Sequence, residues 1–144
     1  MKINVKKLND AAFLPTYGSP AAAGADLYAP KGCDVTIAPG QTVFIKTGIS
    51  VELPEGYAGF VYARSSLGSK RGLAPANKVG VIDSDYRGEI MVALLNHSGQ
   101  AQTVQGGERV AQLVIAPVLH ADFTEAESLS DTARGAGGFG STGK

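Results

Sequence analysis

Short apolar runs broken by glycine, proline and polar residues dominate the chain, and almost none has the three-to-four-residue spacing of an amphipathic helix. Residues 1–8 alternate, with Ile3, Val5 and Leu8 apolar, and predict a first strand. Residues 9–23 are irregular, spaced by Pro15, Gly18 and Pro20, and the short apolar run 25–28 holds Asp26 in its middle. Further strands are expected at 35–37, in two or three pieces over 42–53 around Gly48, and at 57–63 after a Pro54-Glu55-Gly56 turn. The one helix candidate covers 65–71, with Ser65 or Ser66 as its N-cap and Gly72 as its stop. Extended chain resumes at 73–77, two turn signals fall within 98–107, and 109–119 is a long strand ending near Pro117. Short strands with one small helix predict a closed or sandwiched all-β fold.

The densest polar cluster lies between two of these runs. Residues 79–82 and 90–95 are apolar and flank Asp83, Ser84, Asp85, Tyr86 and Arg87, with Gly88 closing the cluster. The pattern predicts a β-hairpin whose tip carries chemistry. Asp83 reads either as a turn former or as a working carboxylate, and Tyr86 as a half-buried strand aromatic or as part of a site. A carboxylate in an apolar run, such as Asp26, is costly unless it is paired, hydrogen-bonded or used, and a strand-end hydrogen bond is the plainer explanation. Arg64-Ser65-Ser66 places a guanidinium, two hydroxyls and free N–H groups at the helix start, which suits a phosphate. A capped helix with a solvated arginine explains the same residues.

Composition narrows the classes. The 144 residues suffice for one domain with a hydrophobic core, and 19 Gly, 7 Pro and no Trp fit many tight turns. Lys plus Arg and Asp plus Glu are each 13, a balance that argues against nucleic acid or an anionic membrane as partner. The lone Cys33 cannot form an internal disulfide, no run approaches about 20 apolar residues, and the lysine-bearing N-terminus has no apolar signal core, so a cytoplasmic location is expected. His97 and His120 have no metal-ligand spacing to each other or to Cys33. Residues 134–144 contain five glycines and read as a mobile arm hinged at 131–133, after an all-β domain over 1–130. The arm's Gly138-Phe139-Gly140-Ser141-Thr142-Gly143-Lys144 imitates half of a P-loop, but no strand precedes it; Phe139 is expected to anchor the arm by docking.

Five segments, in order, resemble the five motifs of the homotrimeric dUTP pyrophosphatases (dUTPases). They are Ala23-Gly24-Ala25-Asp26-Leu27, Ala63-Arg64-Ser65-Ser66-Leu67-Gly68, the stretch 80–89, Gly107-Glu108-Arg109-Val110-Ala111-Gln112-Leu113, and Arg134-Gly135-Ala136-Gly137-Gly138-Phe139-Gly140-Ser141. Glu108 and Val110 stand where Asp and Ile are commoner, and Lys78 is unusual beside Asn77. The resemblance implies a distorted jelly-roll or β-clip barrel with a flexible C-terminal arm. It also implies a homotrimer with sites between subunits, the arm supplied by a third chain. The implied reaction is Mg²⁺-dependent hydrolysis of dUTP to dUMP and pyrophosphate, which keeps uracil out of DNA and supplies dUMP for thymidylate synthesis.

The resemblance also distributes roles. Asp83 matches the catalytic carboxylate that activates water at the α-phosphorus. Asn77 with the backbone of Gly80, Val81 and Ile82 matches the uracil reader, Tyr86 the ring against the deoxyribose, and Phe139 the lid over the base. Arg64, Ser65, Ser66 and Gln112 match phosphate positions. Arg134, Gly138, Gly140, Ser141 and Thr142 would close on the terminal phosphates, and Asp26 matches a carboxylate linked to Mg²⁺ through water. A dCTP deaminase of the same fold and a catalytically idle β-trimer are the alternatives, but residues 82–88 and the Phe-bearing tail resemble the hydrolase.

Overall fold

The computed structural model describes residues 1–138. Its strands are β1 (Asn4–Lys7), β2 (Thr16–Tyr17), β3 (Ala25–Tyr28), β4 (Val35–Ile37), β5 (Thr42–Lys46), β6 (Ile49–Glu52), β7 (Tyr57–Tyr62), β8 (Leu73–Pro75), β9 (Gly80–Ile82), β10 (Met91–Asn96), β11 (Gln102–Val104) and β12 (Arg109–Pro117). They build a five-stranded sheet in the order β2-β3-β12-β7-β9, a three-stranded sheet β5-β10-β8, and the pairs β1-β6 and β11-β4. Every pairing is antiparallel. The result is the expected all-β, jelly-roll-like architecture.

The core follows from period-two patterning. Along β10, Val92, Leu94 and Asn96 are buried while Met91 is exposed, so alternate side chains enter the interior. Leu27, Ile37, Ile45, Ile49, Leu73, Val104 and Val110 close the same core from other strands. Asn96 is its one fully buried amide. Its Nδ2 donates to Ile37 O (2.8 Å) and Gln100 O (2.7 Å), and its Oδ1 accepts from Ser98 N (2.9 Å) and Oγ (2.7 Å). That network ties β4 and the β10–β11 loop to β10, satisfying a group that would otherwise be costly to bury.

Three expectations change. The stretch 79–95 is not a hairpin. β9 pairs with β7 in the five-stranded sheet, whereas β10 pairs with β5 and β8 in another. The eight residues between them cross from one sheet to the other because their ends are held by different strands around one core: Ile82 is buried beside Gly59, and Ile90 is buried where its N–H donates to Ile49 O (2.9 Å). Helical residues do cover the expected 65–71, but Leu67–Arg71 is a π-type turn and the expected serine cap is absent: Ser66 is itself helical and makes no side-chain cap bond. Gly72 does stop it, with φ 66° and its N–H on Leu67 O. Finally, β2 lies in the stretch read as irregular and β11 in the stretch read as turns, both short and flanked by turn-forming residues.

Candidate active site

Strand β7 sits between β12 and β9, so it brings the sequence motifs together. Gln112 on β12 stands opposite Tyr62 on one side and Asp26 of β3 on the other. Two residues after Tyr62 the chain reaches Arg64, whose Nε donates to Asp26 Oδ1 at 2.9 Å; Arg109 Nη1 reaches the other oxygen, Oδ2, at 3.3 Å. Asp26 is 7 % exposed, and these two guanidiniums compensate its burial. The carboxylate is therefore held by an ion triad and not by a strand-end hydrogen bond. Gln112 Nε2 donates to Ala63 O (3.0 Å), and Gly24 leaves the space its amide occupies, since a Cβ there would lie 2.7 Å from Oε1.

Beside this triad opens a cavity of about 450 Å³, lined by Arg64, Ser66, Lys70, Arg71, Glu108 and Arg109 among others. Four cations against Glu108 and the neutralised Asp26 suit an anionic ligand. Arg71 braces its wall, bonding Glu108, Gln102 Oε1 (3.1 Å) and Thr103 O (2.5 Å). Arg109 carried no role in the sequence reading; its strand position opposite Tyr28, with a bulge between Arg109 and Ala111, aims it at Asp26. Ser65 and Ser66 are exposed with their hydroxyls uncommitted to the cap, so the phosphate alternative for this turn keeps its donors.

A second cavity, about 390 Å³, is lined by Asn77, Gly80, Val81, Ile82, Asp83 and Tyr86 together, with Phe44, Glu89 and Met91 on the facing wall. Phe44 and Met91 come from β5 and β10, an apolar contribution that could be found only once the crossing between sheets was known. β9 is the outer strand of its sheet, so its far edge offers backbone N–H and C=O groups without ladder partners to whatever fills the cavity. Gly80 lets that edge pass close to Val61 and to the Asn77 amide. Asn77 and Lys78 form the turn before it, with Lys78 at φ 66°, a conformation that carries modest strain for a lysine. Asp83 follows directly on β9 and is exposed, and its carbonyl accepts from Tyr86 N (3.2 Å), so it is both a turn former and a cavity residue.

The two cavities have no lining residue in common. Ile82, next to Asp83, pairs with Gly59 within β7, whereas Arg64 lies two residues beyond the end of that strand. The arm shows a local turn in which Arg134 Nε donates to Gly137 O (2.8 Å), and Gly138 is partly exposed. Phe139, Gly140, Ser141 and Thr142 lie outside the described residues.

A jelly-roll-like β domain with a cationic cavity and a separate cavity edged by open strand backbone, an aromatic ring and a carboxylate defines the class of nucleotide-handling β proteins. The chain belongs to the dUTPase family, whose model matches residues 10–143. It is 52 % identical over 144 residues, 99 % of this chain and 95 % of the relative, to a deoxyuridine 5'-triphosphate nucleotidohydrolase of Desulfitobacterium hafniense. Among solved structures it is similar to a mutant dUTPase of Staphylococcus bacteriophage 80alpha with dUpNHpp, at TM-score 0.87 and 27 % identity over 99 % of both chains. It also resembles a mutant dUTPase from phage phi11 of S. aureus, described for its coordination of a structural Mg(II) ion, at TM-score 0.79 and 25 % identity over 89 % of this chain and 98 % of that one.

Proposed function

We propose that this protein hydrolyses dUTP to dUMP and pyrophosphate. The observation that carries the reading is the second cavity, where Asp83, Tyr86, Asn77 and the open edge of β9 face one space. Uracil fits the β9 edge and the Asn77 amide because backbone N–H and C=O groups complement its alternating acceptors and donor. Cytosine reverses that pattern at two positions and leaves groups unpaired, which can discriminate by roughly 10⁴ or more. Tyr86 lies against the deoxyribose, where a 2′-hydroxyl has no room. Asp83 accepts a proton from water and directs it at the α-phosphorus; pyrophosphate leaves. Arg64, Ser65, Ser66 and Gln112 hold the phosphates, and the arm closes over them with Arg134, Gly138, Gly140, Ser141, Thr142 and the Phe139 ring.

The donor set bears on the implied Mg²⁺. Both oxygens of Asp26 already accept from guanidiniums, and no group of three or more His, Cys, Asp or Glu able to hold a metal exists among the described residues. These residues fit an ion carried by the triphosphate and reached from Asp26 through water, not one held in a protein cage. When bound there it would offset the phosphate charge.

That Arg64 and Asp83 line different cavities supports sites shared between copies, as in a homotrimer. So do Leu119, Phe123 and Leu129, which are 99 %, 97 % and 89 % exposed on the chain leaving β12. A pyrophosphate-release assay across dUTP, UTP, dCTP and dTTP tests the reading. Release from dUTP alone is expected; ammonia release from dCTP without pyrophosphate would replace it with a deaminase.

A further inference from the structure

The Tyr86 ring stands in the cavity at a depth that its own local sequence does not set. Its hydroxyl donates to Glu89 O at 3.0 Å, so the ring folds back over Gly88. A Cβ on Gly88 would lie 2.8 Å from Tyr86 Cε2 and closer still to the phenol oxygen, where ordinary contact is 3.4–4 Å. Gly88 lacks the positive φ that would bar an alanine, and the nearest obstruction is the ring. The carbonyl that holds the hydroxyl is itself fixed. Glu89 Oε1 accepts from Gly48 N (2.8 Å), and the next residue is clamped by Thr47 Oγ1 on Ile90 O (2.6 Å). Gly48 itself turns at φ 75° with Ala12 and Asn9 close against it.

We propose that Gly88 and Glu89 are positioning residues that set how far Tyr86 projects into the cavity, and so determine discrimination at the sugar. Gly88 supplies the vacant space on which the ring rests. The Glu89 side chain anchors to the β5–β6 corner the carbonyl that tethers the ring. The inference rests on the sugar-gate reading of Tyr86. A methyl at position 88 displaces a side-chain end and not backbone, so its effect falls on ring position more than on folding. The ring must retreat by on the order of 1 Å, and a misplacement of that size can cost up to about a hundredfold in turnover.

The test measures kcat/KM for dUTP and for UTP, with Tm, in the wild type and in Tyr86→Ala, Gly88→Ala, Glu89→Ala and Glu89→Gln. Gly88→Ala is expected to lower the dUTP-to-UTP ratio about tenfold or more at unchanged Tm. Glu89→Ala lowers the ratio in the same direction, and Glu89→Gln, which keeps an acceptor for Gly48 N–H, restores it. An unchanged ratio in both Gly88→Ala and Glu89→Ala, while Tyr86→Ala lowers it, overturns the positioning roles and leaves the sugar gate standing. An unchanged ratio in Tyr86→Ala overturns the gate and this inference with it. If Gly88→Ala fails to fold, the Glu89 pair decides, and equal losses in Glu89→Ala and Glu89→Gln remove Glu89 from the set.

Discussion

Asp83 and Asp26 are two carboxylates in apolar runs whose surroundings give them opposite tasks. Asp83 is exposed at a strand end with no side-chain hydrogen bond among the described residues, and is free to take a proton from water. Asp83→Asn should keep the turn, because asparagine forms such turns equally well, and should leave nucleotide affinity intact by calorimetry. Turnover by pyrophosphate release should fall by roughly 10²–10⁴. Asp26 is buried and bound to Arg64 and Arg109, so its charge is structural before it is anything else. Asp26→Asn should cost about 1–3 kcal/mol in denaturant titration by leaving two guanidiniums short of their acceptor. Cys33 offers a pH observation: burial, and then the neighbouring Asp34, raise its thiol pKa. Folding therefore holds that proton, and this contribution to stability fades as pH climbs past the ordinary thiol value. Iodoacetamide should label the native protein more slowly than the urea-unfolded chain at pH 8.

At the scale of elements, Asn96 and the β9–β10 crossing explain what could and could not be read from sequence. The longer strands were visible, β10 because alternate residues are buried, and β7 and β12 as mostly apolar runs of six and nine residues bounded by turn residues. β2 and β11 were not, since they are short and lie among the turn formers Pro15, Gly18 and Pro20 and between Gly99 and Gly106. The crossing escaped because two apolar runs around a polar turn look the same whether they pair with each other or with partners far away in the chain. Deciding that requires knowing where Ile82 and Ile90 pack. The polar cluster itself was legible, since Asn77, Asp83 and Tyr86 do line one cavity. The Arg109 contact to Asp26 was not, because it depends on a bulge in β12. Asn96→Ala should destabilise the fold by about 2–4 kcal/mol, measured by urea unfolding. The loss leaves Ile37 O, Gln100 O and Ser98 N without their buried partner.

At the scale of the whole molecule, the placement of Arg64 and Asp83 on different cavities leads to a prediction about assembly. Arg64→Ala and Asp83→Asn proteins should each be nearly inactive. Refolded together they should regain activity, because a site that draws the two residues from different copies can recover an intact pair. No recovery would place both residues in one chain's site. Removing residues 134–144 should leave the circular dichroism of the β core unchanged and abolish efficient hydrolysis.

The segment that crosses between sheets has one more consequence, for the order in which competence is acquired. Residues 83–90 are anchored at one end by the β7 ladder and at the other by the Thr47–Ile49 corner, so neither sheet alone can shape them. A chain that has formed its strands but not docked its two sheets has the secondary structure and lacks the geometry. On refolding, the β signal should return before dUTP turnover does. Activity is thus a direct report on whether the two halves of the core have closed on each other.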